Sequence, residues 1–157
     1  MEAEKPTTTT ICTVVAIDHT DLYYTVCSFC ERTLPPPQTH CNHCTLTTNN
    51  NNCKLLFRVL MSVATDKEVF VVVLFDRSAR LLFGSSAQVF FDFTNIHPFS
   101  GENASKILEG EMLRLTLSKP KNGNAQHPRV VSVVPLKSGF RPLMDTLAQL
   151  YGVKKTF

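Results

Sequence analysis

Apolar and polar residues alternate along Glu111 to Ser118 (EMLRLTLS), the signature of a strand with one face on a core and the other in water. Four more stretches read as strands from their length and their β-branched content. These are Thr9 to Ile17 (TTICTVVAI), Lys54 to Thr65 (KLLFRVLMSVAT), Glu68 to Phe75 (EVFVVVLF) and Arg129 to Leu136 (RVVSVVPL). Asp66 and Lys67 between the second and third of these four supply a hairpin turn.

The pattern changes period after Phe75. RSARLLF reads as a short helix with Asp76 as its cap and Gly84 as its stop. Ser85-Ser86 opens a second helical piece, AQVFFDF, and NASKILEG predicts a further turn of helix. Pro142 to Tyr151 is amphipathic, with Leu143, Met144, Leu147, Leu150 and Tyr151 on one side. Five strands, helices between the third and fourth, and a terminal helix match a mainly β oligonucleotide/oligosaccharide-binding (OB) barrel of five strands. The expected organisation is a flexible N-terminus over 1–8 and one domain over 9–157.

The 157-residue length suits one domain with a sizeable core, and 43% apolar against 18% charged residues suits a folded chain. A net charge of +3 permits a nucleic-acid partner without demanding one. The longest apolar run, Val69 to Phe75, is far below the roughly 20 residues of a membrane-spanning helix. The N-terminus lacks a secretory pattern, so a cytosolic or nuclear compartment with reduced thiols is expected.

Within that compartment the cysteines stand out. Cys27/Cys30 and Cys41/Cys44 are two Cys-x-x-Cys pairs separated by ten residues, Pro35-Pro36-Pro37 among them. Two knuckles of this kind complete a tetrahedral zinc shell with no open position for water, so one structural Zn²⁺ is expected. His40 or His43, beside the second knuckle, is an alternative ligand; a thioredoxin-like redox site or a pair of disulfides is the non-metal alternative. The ribbon over about 22–48 then falls between the first and second barrel strands. Cys12 reads as a small core residue, and Cys53 has no evident partner.

This arrangement resembles the C-terminal DNA-binding domain of the replication protein A large subunit, including its noxin-like variant. The resemblance runs from Thr9 to about Tyr151 and is carried by LYYTVCSFC, CNHC and FDRSARLLFGSSAQVF. It implies a non-catalytic module that binds single-stranded DNA in replication, repair or recombination, located in the nucleus. It also implies protein partners, other OB-fold subunits, joined through the C-terminal helix face of Leu143, Met144, Leu147, Leu150 and Tyr151.

Single-strand binders combine cations on phosphate with aromatic rings under the bases. The candidate contacts are Lys54 and Arg58 on one face of the second barrel strand and Arg114 in the fourth. Lys119, Lys121 and Arg129 flank the loop between the last two strands, and Tyr23 offers a stacking ring at the ribbon. The chain has no Trp, and Cys53, Leu55 and Val71 stand where the family carries aromatics. A protein-interaction subunit with weak or no DNA binding is therefore the alternative function. No carboxylate/histidine constellation suggests an enzyme.

Overall fold

The computed structural model describes residues 6–36, 41, 53–119 and 127–154. Five strands form the ring: β1 (Thr7–Ile17), β4 (Cys53–Ala64), β5 (Val69–Phe75), β6 (Met112–Ser118) and β7 (Arg129–Pro135). Between β1 and β4 lie the two short ribbon strands, β2 (Tyr23–Cys27) and β3 (Thr33–Leu34). The ring runs β1-β6-β7-β5-β4 and closes by pairing β4 with β1. All its neighbours are antiparallel except β5 and β7, joined in parallel at Val73 and Arg129. This is the OB barrel.

The ring depends on the length of β4. Its first half, Cys53 to Phe57, pairs with β2, and its last four residues, Met61 to Ala64, pair with β1. Period-two alternation holds from Phe57 onward: Phe57, Val59, Met61 and Val63 are buried, while the residues between them are half-buried. The inward set meets Val72 and Leu74 of β5, Leu113 and Leu115 of β6, and Cys12 and Val14 of β1 in one core. Burying each such side chain contributes about 1.5–3 kcal/mol relative to leaving it exposed.

Three helices, α1 (Asp76–Phe83), α2 (Ala87–Ile96) and α3 (Ser100–Leu108), connect β5 to β6, and α4 (Leu143–Leu150) follows β7. Asp76 does not cap α1. It is the first helical residue, and its carboxylate instead accepts the Phe57 N–H at 3.1 Å and pairs with Arg80 at 3.1 Å. The shift has a simple cause: an edge of β4 offers the carboxylate an unpaired backbone donor. Gly84 ends the helix at φ 75°, and a side chain there would collide with Pro142, so this glycine also lets the α4 segment approach. Ser86 caps α2 by accepting the Val89 N–H at 3.2 Å.

Two boundaries differ from expectation. Thr7 and Thr8, assigned above to a flexible N-terminus, are strand residues paired with Ser118 and Leu117. The ribbon adds β2 and β3 to the five expected strands, because β2 pairs with the first half of β4 and β3 pairs with β2. The Thr/Asn tract 45–52 and most of the loop 119–128 lie outside the described residues. Among the described residues no helix is long and apolar enough to cross a membrane.

Candidate metal centre and nucleic-acid interface

Cys27 ends β2, and the chain turns at once. The Glu31 N–H donates to the Cys27 carbonyl at 2.9 Å, the Cys27 N–H donates to the Arg32 carbonyl at 2.9 Å, and the Phe29 N–H points at Cys27 Sγ at 3.4 Å. That turn brings Cys30 beside Cys27, and Cys41 completes a group whose three sulfurs all lie within 4.8 Å of one another. The Cys30 and Cys41 sulfurs are 3.7 Å apart. A disulfide needs about 2.05 Å, whereas two thiolates at about 2.3 Å from one tetrahedral ion sit about 3.8 Å apart. The donor set and spacing therefore fit a metal ion. Cys44, His40, His43 and the rest of the second knuckle lie outside the described residues.

The other two cysteines differ in kind. Cys12 is in the barrel core, where burial pushes its thiol up to about 11. Cys53 faces Cys27 across the β2–β4 ladder and packs on the small cluster of Cys27, Leu34 and Cys41, outside the sulfur group itself.

Next to the ribbon, β4 and β5 present an outer face. Arg58 of β4 is directly opposite Phe75 of β5. The Arg129 guanidinium lies over the Phe75 ring, 4.9 Å from its centroid, and Tyr24 meets the same ring edge-on at 6.2 Å. Burial raises the Tyr24 phenol above its usual range; the Asp76 charge adds to this and Arg129 opposes it. Lys54 lies further along β4 on the Arg58 face, with its ammonium 2.8 Å from the Glu31 carboxylate. One aromatic pair and three cations thus gather on the face that adjoins the Cys27–Cys30 turn.

Of the residues singled out from sequence, Lys54, Arg58 and Arg129 come together here. Tyr23 does not. It stacks on Phe57 at 5.9 Å and meets Phe91 edge-on at 5.6 Å, and burial pushes its phenol up to about 12. The pairing of β2 with β4 directs Tyr23 to the core and leaves Tyr24 as the outer ring. Arg114 lies on β6 between Ile11 and Val134, away from the β4–β5 face. Lys119 is exposed beyond β6 and lines a separate cleft of about 640 Å³ with Lys67 and His127. Lys121 lies outside the described residues. Phe75 is the residue that sequence reasoning passed over; its place at a strand end, just before a helix and opposite Arg58, was the available signal.

The terminal helix also departs from expectation. Leu143, Met144 and Leu147 are 0% exposed and fill the core, so they are not available as the partner face expected of this helix. Tyr151 packs on Phe93 and His97 and accepts a hydrogen bond from Asn103 at 2.7 Å. Leu150, 61% exposed, is the member of the set left facing solvent. Ile96 and Phe99, on either side of the His97-Pro98 step, are 71% and 74% exposed.

The fold is shared with replication protein A. A replication protein A heterotrimer bound to single-stranded DNA superposes with a TM-score of 0.70 at 16% identity, over 96% of this chain and 35% of that one. Yeast replication protein A bound to single-stranded DNA gives 0.66 at 17% identity, over 96% of this chain and 87% of that one. The chain therefore spans about a third of the first neighbour's length. No protein-family model matches the sequence, and no curated protein does.

Proposed function

We propose that the chain is a non-catalytic, replication protein A-like module that binds single-stranded DNA in DNA replication, repair or recombination in the nucleus. Cys27, Cys30, Cys41 and Cys44 would hold one structural Zn²⁺. The observation that carries the binding reading is the Phe75 ring, flanked by Tyr24 and Arg129 and facing Arg58 on the outer face of the barrel. A base stacks on such a ring, and the surrounding cations neutralise the phosphates on either side. The two structural neighbours, both complexes with single-stranded DNA, are further support.

Fluorescence anisotropy with a labelled oligo(dT) strand tests this. If Arg58 and Arg129, which have no ion pair among the described residues, each take one phosphate, log K should fall against log salt with a slope of about −1.4. Phe75→Ala should weaken binding about 5- to 150-fold, the alanine-substitution cost of one stacked base. No binding at low salt overturns the reading.

The exposed Ile96, Phe99 and Leu150 favour a second reading, a protein-interaction subunit that docks on other OB-fold subunits at the α4 end. Under it, Leu150→Asp would abolish a complex seen by light scattering and leave oligonucleotide affinity unchanged.

A further inference from the structure

Glu31 follows the knuckle cysteine Cys30 in the left-handed region, at φ 59°. Glycine adopts that conformation freely and other residues adopt it at a cost, so a glutamate there calls for an explanation in terms of its side chain. Its carboxylate reaches out of the metal turn to the Lys54 ammonium at 2.8 Å.

The cations of the interface are thus unequally available. Among the described residues neither Arg58 nor Arg129, which lies on Phe75, has an ion pair, and of the three cations Lys54 alone is paired. Asp76, the other acid near Tyr24, is already engaged by the Phe57 N–H and Arg80. We propose that Glu31 is an acidic competitor for phosphate at Lys54, fixed there by the metal turn, and that it weakens the binding of single-stranded nucleic acid on this face. A phosphate reaching Lys54 must displace the carboxylate or bind beside it against like-charge repulsion, so Lys54 adds little net affinity while Glu31 is charged. The inference rests on the single-strand-binding reading and names a determinant of its strength.

The test uses the full chain, oligo(dT) and four proteins: wild type, Glu31→Gln, Lys54→Gln and the double variant. Glutamine keeps the size and hydrogen-bonding capacity of residue 31 and removes its charge; matching zinc content and far-ultraviolet circular dichroism confirm the fold. Glu31→Gln should bind about two- to five-fold more tightly at low salt, the size of one exposed ion pair. Its salt slope should steepen by about 0.7, one extra phosphate neutralised on a single strand. Lys54→Gln should change wild-type affinity little and erase the gain in the Glu31→Gln background. If wild type binds and Arg58→Gln weakens it, but Glu31→Gln equals wild type, the competitor role is overturned and the binding reading stands. If neither wild type nor Glu31→Gln binds, both fail.

Discussion

Removing the metal should melt the ribbon and spare the barrel. The ribbon's own buried cluster is Cys27, Leu34 and Cys41, with Cys53 against it. Two of its three buried members are cysteines of the candidate metal site, so Leu34 and the buried Val26 of β2 are the ordinary apolar anchors among the described residues, worth about 1.5–3 kcal/mol each. Against this stands the turn 28–32 between β2 and β3. Ordering five residues costs about 5–10 kcal/mol at about 1–2 kcal/mol each. At the middle of these ranges packing does not cover that cost, whereas structural zinc in small peptides contributes about 10–16 kcal/mol. The barrel core, built on Phe57, Met61, Leu115 and Leu147, contains no metal-site cysteine. Hydrogen exchange followed by mass spectrometry, with and without a chelator, measures this directly. Amides of Thr25 to Leu34 should lose protection on chelation while those of Val59 to Val63 keep theirs. Cys44→Ser should have the same effect as chelation. Ribbon amides that stay protected without metal would refute the reasoning, since another source of stability would have to exist.

Two further outcomes follow from burial. Leu147→Ala should destabilise the chain by about 2–5 kcal/mol in urea unfolding, because its side chain is 0% exposed in the core; a loss below about 1 kcal/mol would mean that α4 is not part of the cooperative unit. Cys12 should stay unmodified by iodoacetamide at pH 8 in the native protein and react fully in denaturant. Burial raises its pKa to about 11, so the thiol form predominates until pH nears that value, and the surrounding barrel blocks access.

The barrel strands were legible because β-branched runs and alternation report directly on burial. Leu113, Leu115 and Leu117 face inward, as EMLRLTLS requires. The first Cys-x-x-Cys pair was legible from its spacing. What the sequence withheld depends on pairing between distant segments. Tyr23 and Tyr24 are adjacent aromatics, and nothing local says which faces the core; the register of β2 on β4 decides it. Arg114 and Arg58 read alike as cations interrupting apolar strands, and only the ring order separates them. Met144 was given to an outer face because helical periodicity cannot show that α3 and α1 both lie beside α4. Phe75 read as the apolar end of a strand until its neighbours Tyr24 and Arg129 arrived from elsewhere in the chain.

The join between β5 and β7 has a consequence for how the molecule comes into being. One parallel register pair, Val73 with Arg129, and the bond from the Val73 N–H to the Pro128 carbonyl at 2.9 Å hold this seam. Its two sides are far apart in the chain, so closing it carries a large loop entropy for few hydrogen bonds, and it is expected to form late in folding. The arginine that closes the seam is also the one that lies on Phe75. A chain still folding, or one emerging from the ribosome without β7, has the ring but not its arginine. Under the proposed single-strand-binding reading, affinity is acquired with the last strand and so reports that the barrel is complete.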